Sequence, residues 1–357
     1  MYTQGINRKK VIQPIIRNQP SNVNRSALQQ READNERLRP KLNAVINEIT
    51  KIESQSTING VPVNNTLTSP KVTTPTTGVN IGRIANYQVI RKFGAGNFGE
   101  VYQVKDIRNG STLVLKRIPK NKVNPEDIKN EVTILQHLQG HCQLYILCYI
   151  GFFEDDIYYY ILTEYLGNYL TLDVVLEKRI KIFNLPKLIS NLKEGLTQIH
   201  DQNIAHSDIK PANIMIDPNT LNIKYIDFGL SCIGFNCNTD KASGSPIYMA
   251  PEILYRIIPY NLEILKKSDI WSLGMTIYEI ITKKNLYIDY FNKFILPTLP
   301  VTATQPRNIE KDILSVMAYL LNSPEPMPIN LLLPNYYLNN LLINMLDKNY
   351  LTRSFIR

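Results

Sequence analysis

Tryptophan occurs once, and histidine and cysteine four times each, in 357 residues. So few Cys and His exclude a disulfide scaffold or a zinc-ribbon architecture, in which such residues recur at short fixed spacings. Cys232 and Cys237 are spaced like half of a metal site, but no His or Cys pair completes a zinc set. Cys142, Cys148, Cys232 and Cys237 are therefore expected as free thiols in a reducing compartment. Long apolar runs are missing as well. The longest, residues 144–153, is about half of the ~20 residues that cross a bilayer. The N-terminal MYTQGINRKK has no apolar signal core. A soluble protein without a transmembrane segment, cytoplasmic or nuclear, is the expectation.

Acidic residues are scarce at one end only. Residues 1–85 carry 12 Lys/Arg against 5 Asp/Glu, which is +7 of the formal +9. The rest of the chain is close to neutral, so the basicity belongs to a tail. Such a tail can meet an acidic partner. Nucleic-acid binding is not expected from it alone. Residues 1–25 are polar and read as disordered. Leu42, Val45, Ile46, Ile49 and Ile52 recur at helical spacing after Pro40, which predicts a short amphipathic helix over 41–53. Residues 54–80 form a Ser/Thr/Pro/Asn linker. Asn, Ile, Lys and Tyr are abundant, a bias of AT-rich genomes such as those of protists and large DNA viruses.

From Asn86 the pattern changes. Residues 87–92, 101–106 and 113–118 read as strands, and 144–165 as two more around the turn at Glu154-Asp155-Asp156. Asn124-Pro125-Glu126-Asp127 starts a helix: a capping Asn, Pro at the first position, and acids at the positive end of the dipole. After Gly167 the chain turns mainly helical.

Phe93-Gly94-Ala95-Gly96-Asn97-Phe98-Gly99-Glu100-Val101 is a complete G-x-G-x-x-G-x-V. Glycines let backbone approach phosphate oxygens without Cβ clashes. The pattern also fits dinucleotide folds, but there a helix opens at the third glycine. Here a strand follows, so a hairpin flap over triphosphate is expected. Lys116 ends an apolar strand fifteen residues past Val101, and Glu131 lies in the next helix. His206-Ser207-Asp208-Ile209-Lys210-Pro211-Ala212-Asn213 puts a carboxylate, an amine and an amide within six positions, and Asp227-Phe228-Gly229 adds a carboxylate fourteen residues after the amide. That set suits a metal-bound nucleoside triphosphate and a hydroxyl acceptor.

In this order, and followed by Ala250-Pro251-Glu252 and Asp269-Ile270-Trp271-Ser272-Leu273-Gly274, these segments resemble the eukaryotic-type serine/threonine protein kinase family from about Asn86 to Arg353. The resemblance implies an α+β bilobal fold: a small β-rich N-lobe with one main helix (86–164) and a larger helical C-lobe (165–357). It implies ATP, Mg²⁺ (with Mn²⁺ as an alternative) and protein Ser/Thr substrates for a monomeric enzyme. The basic extension would meet a regulatory partner. Catalytic positions fall on Asp208 and Lys210, and metal positions on Asn213 and Asp227. Nucleotide-binding positions fall on Phe93, Gly94, Ala95, Gly96, Asn97, Phe98, Gly99, Val101, Val114, Lys116, Glu131, Thr163, Glu164, Leu166 and Met215. His206 and Phe228 are implied as packing residues. A pseudokinase would lack a lysine, a metal ligand or the catalytic acid, and none is missing here. A small-molecule kinase of the same fold is disfavoured by Ala250-Pro251-Glu252 and Ser245.

The departures are informative. Ser207 stands where many family members carry the Arg that gathers an activation-loop phosphate, and Ser cannot form a charged fork. Activity without loop phosphorylation through that contact is expected. Ala212 and Leu170 replace acids that select arginine in substrates, which implies weak basic preference. Arg353 matches the family's partner of Glu252, although Asn349-Tyr350 precedes it in place of Asp-Pro.

Overall fold

The computed structural model describes residues 83–96, 99–237, 244–255, 259–298, 309–333 and 335–355. The helix expected over 41–53, and Asn97 and Phe98 of the glycine loop, lie outside them.

Six antiparallel strands form the first lobe: β1 (Arg83–Ile84), β2 (Tyr87–Gly96), β3 (Gly99–Asp106), β4 (Thr112–Pro119), β5 (Tyr149–Glu154) and β6 (Tyr158–Glu164), in the order β1-β2-β3-β4-β6-β5. Strand alternation sends Tyr102, Val104, Leu113 and Leu115 into a core with Tyr87, Val89, Tyr160 and Leu162. It leaves Val101, Val114 and Lys116 half-buried on the opposite face. Register pairs Val101 with Lys116 and Val114 with Thr163, so these four side chains share that face. Helix α1 (Pro125–Leu138) packs alongside. Asn124 caps it through the Glu126 amide, and Ile128, Glu131, Val132, Leu135 and Leu138 are buried.

The second lobe is helical around α3 (Leu185–Asp201) and α5 (Leu262–Thr282). α5 is buried on almost every side, as a central helix must be when it is apolar all round. The short α2 (Leu172–Glu177), α4 (Pro251–Leu254) and α6 (Leu286–Tyr290), then α7 (Ile309–Asn322), α8 (Ile329–Leu332) and α9 (Tyr336–Met345), complete it. Two small sheets face the first lobe. One has the order β10 (Ile223–Tyr225), β9 (Ile214–Ile216), β7 (Leu170–Thr171); the other pairs β11 (Cys232–Ile233) with β8 (Ile204–Ala205). Among the described residues no helix is long and apolar enough to cross a membrane.

The cysteines correct an expectation. All four are paired, Cys142 with Cys148 and Cys232 with Cys237. The low count rules out a long-range framework, but these pairs are local. Each closes a turn, six and five residues apart, that the count does not address.

Candidate active site

The glycine flap is the β2–β3 hairpin. At Gly99 a Cβ would lie 2.2 Å from the Arg117 carbonyl oxygen, so only glycine lets β3 pass that close to β4. Next to it, Lys92 and Arg117 hydrogen-bond the Glu100 carboxylate and hold its pKa down to about 2, against some burial. Phe93 stacks on Tyr165 at 6.3 Å, and Arg91 lies 4.7 Å over the Phe93 ring. The base of the flap is thereby tied to the segment that joins the lobes.

Lys116 Nζ lies 2.7 Å from Glu131 Oε1 and 3.1 Å from Asp227 Oδ1. Burial works against its charge, but the two carboxylates outweigh burial and hold the pKa above the ordinary lysine value. Burial likewise works against the Asp227 charge, and Lys116 overcomes it, leaving this carboxyl below its usual range. The side chain is still 44% exposed, open to the cleft between the lobes.

Opposite, the loop after β8 is fixed from beneath by Asp269 of α5. Its carboxylate accepts the His206 and Ser207 amides, both at 2.8 Å, and contacts His200 Nε2 at 2.9 Å. Ser207 and Asp227 both adopt left-handed backbone, φ 65° and 64°, uncommon for residues with a side chain. His206 and Phe228 are fully buried with ring centroids 4.9 Å apart, so both pack. The Asp208 carboxylate is enclosed by donors. Ser245 Oγ donates to Oδ1 at 3.0 Å, and Lys210 Nζ and Asn213 Nδ2 meet Oδ2 at 2.8 Å each. Lys210 also donates to Ser245 Oγ at 2.8 Å. Asn213 spends its amide nitrogen on Asp208, so its amide oxygen is the atom it can give a cation. Among the described residues no cluster of three or more His, Cys, Asp or Glu could hold a metal. The Asn213 oxygen and the Asp227 carboxylate form an oxygen-only, incomplete set. Such a set fits Mg²⁺, which keeps waters and substrate phosphates as its other ligands.

Thr163 is buried and Val101, Val114, Leu166 and Met215 are half-buried, and register sets Val101, Val114 and Thr163 on the same face of the sheet as Lys116. Glu164 differs from a simple nucleotide contact. Its carboxylate Oε1 accepts the Cys148 amide at 2.8 Å and pairs with Lys224 Nζ at 2.6 Å, so this side chain is tied into the connection between the lobes. Lys224 also donates to the Cys142 and Ile146 carbonyls, at 2.7 and 3.0 Å. Sequence reasoning missed Lys224, and it assigned no role to Asp269 or Tyr165. In the pattern Ile223-Lys224-Tyr225 a lysine between apolar residues reads as solvent-facing.

The model of the protein kinase domain matches residues 87–354. The chain belongs to the protein kinase family. This kinase chain is 31% identical to calcium-dependent protein kinase 4 of Plasmodium falciparum over 205 residues, 55% of this chain and 37% of that protein. It is 30% identical to the mouse serine/threonine-protein kinase Nek5 over 272 residues, 73% of this chain and 42% of that one. It is 31% identical to the serine/threonine-protein kinase PSK2 of Saccharomyces cerevisiae over 241 residues, 63% of this chain and 21% of the relative. The kinase chain thus spans less than half the length of these relatives.

Proposed function

We propose that this protein kinase transfers the γ-phosphoryl group of ATP to Ser or Thr hydroxyls of proteins. The observation that carries this reading is the Asp208–Lys210–Ser245 triangle facing the Lys116–Glu131–Asp227 set. Lys116, oriented by Glu131, binds the inner phosphates, and the glycine flap covers them. Asp208 orients the acceptor hydroxyl and takes its proton, while Lys210 faces the charge on the transferring group. Asn213 and Asp227 would hold Mg²⁺, whose charge draws the phosphates together and offsets their developing charge. The half-buried side chains around Thr163 form the walls for adenine, and the Glu164 main chain forms its edge. Ser245 stands where the acceptor chain would approach Asp208, which supports Ser/Thr over Tyr as the acceptor.

The test is phosphate incorporation into a protein pool by wild type and by Asp208→Asn. A loss of about a hundredfold or more in the variant is expected, and equal incorporation would overturn the reading. Phosphatase-treated wild type should keep its rate, because Ser207 offers no charged fork to a loop phosphate. A large loss restored by re-phosphorylation would refute that part alone.

A further inference from the structure

Asn130 has no part in the chemistry above, yet it sits one residue before Glu131 on α1 and reaches the other lobe. Its Nδ2 donates to the Ser231 carbonyl at 2.8 Å. Ser231 is 3% exposed and is itself held: its hydroxyl donates to the His206 carbonyl at 2.9 Å and its amide to the Phe228 carbonyl at 3.1 Å. The next residues are pinned too. Cys232 and Ile233 pair with Ala205 and Ile204, the Gly234 amide donates to the Asn203 carbonyl at 2.9 Å, and Cys232 is bonded to Cys237. Asn130 therefore meets a fixed acceptor rather than a loose loop.

The contacts close a ring. From Asn130 it runs to Ser231, back through Gly229 to Asp227, across to Lys116, on to Glu131 and so to Asn130 again. Gly229 fits inside it: a Cβ there would lie 3.4 Å from both Glu131 Oε2 and Asp227 Oδ1. We propose that Asn130 is a positioning residue, which locks α1 to the start of the activation segment and so keeps Glu131 and Asp227 together on Lys116. The lock is neutral and made to backbone, so it needs no phosphate, in keeping with Ser at position 207. The proposal rests on the phosphoryl-transfer reading for its kinetic consequence and on geometry alone for its structural one.

The experiment compares wild type with Asn130→Asp, which keeps the shape but faces the Ser231 carbonyl with an acceptor, and with Asn130→Gln, which keeps the donor. If the lock selects the aligned arrangement, losing one neutral hydrogen bond lowers kcat about five- to tenfold in Asn130→Asp. The protein-substrate KM and the melting temperature stay near wild type, and Asn130→Gln recovers most of kcat. Hydrogen exchange at amides 232–234 speeds up in Asn130→Asp before that of the α5 core. An unchanged kcat and unchanged exchange would overturn the proposal. So would a loss of kcat that Asn130→Gln shares and that tracks a lowered melting temperature, the mark of a merely structural contact. If wild type transfers no phosphate, the kinase reading fails, and exchange at 232–234 still decides the lock.

Discussion

Lys224 shows what a single residue contributes that no motif announces. It is 5% exposed, and its ammonium joins the Glu164 carboxylate to the Cys142 and Ile146 carbonyls. One buried cation thus fastens the strand before Asp227 to the segment connecting the lobes. Removing one partner of a buried pair leaves the other charge uncompensated, which costs about 3–5 kcal/mol. Lys224→Met is therefore expected to lower the denaturation midpoint strongly, and a second change, Glu164→Gln, to recover part of the loss. If the double variant is no more stable than Lys224→Met, the pair is not what the lysine supplies. The positions proposed as catalytic were picked out in the sequence because phosphoryl transfer demands fixed residue types at fixed spacings. Lys224 was not, because its partners come from two other stretches of chain, residues 142–146 and Glu164, that only the fold brings beside it. Glu164 was legible as a position but not as a role, since nothing in the sequence says which way its carboxylate turns.

At the scale of elements, the strands 87–118 and the start of α1 followed from alternation and capping, and their observed register sets Lys116 beside Val101. The cysteine turns did not follow, because five- and six-residue separations leave pairing to local backbone geometry. Two elements carry predictions. Arg353 and Glu252 are 0% and 1% exposed in a two-pronged pair at 2.5 and 2.9 Å, joining the end of the described chain to α4. Arg353 also donates to the Asp347 and Lys267 carbonyls and lies over Trp271. Arg353→Met is expected to destabilise by about 3–5 kcal/mol. Arg353→Lys should rescue little, because an ammonium cannot make the fork; full rescue in urea unfolding would refute this. In the flap hairpin, Glu100 has a folded pKa of about 2 against an ordinary 4.5. A depressed carboxyl binds fewer protons folded than unfolded, so its contribution is complete above 4.5 and fades as pH falls toward 2. The stability gap between wild type and Glu100→Gln should be widest near neutral pH and should narrow below about pH 4.5. A gap that widens on acidification would reverse the sign and exclude the Lys92 and Arg117 contacts as its cause.

At the scale of the whole molecule, polar bridges join the two lobes at the active-site cleft. Lys116–Asp227, Asn130–Ser231 and Lys224–Glu164 each cross from one to the other. The sequence motifs name Lys116, Asp227 and Glu164 but not Asn130, Ser231 or Lys224, and not that any of them bridge, since bridging is a property of how the lobes close. The bridge between Lys116 and Asp227 runs through the position where nucleotide phosphates and Mg²⁺ would bind. Ligand should therefore reinforce closure rather than act on one lobe. Binding to the folded state alone adds RT ln(1 + [L]/Kd), about 2.7 kcal/mol at a hundredfold excess over Kd, which appears as a higher melting temperature. A non-hydrolysable ATP analogue should raise the melting temperature of wild type, and Mg²⁺ should raise it further. Lys116→Met, which takes away the phosphate anchor, should lose most of both increments. Asp227→Asn loses charge but keeps size, so it should keep the increment from nucleotide alone and lose the part that depends on Mg²⁺. If Asp227→Asn retains the full Mg²⁺ increment, the cation is not held by this carboxylate. The open, 44% exposed Asp227 side chain would then serve only to pair Lys116.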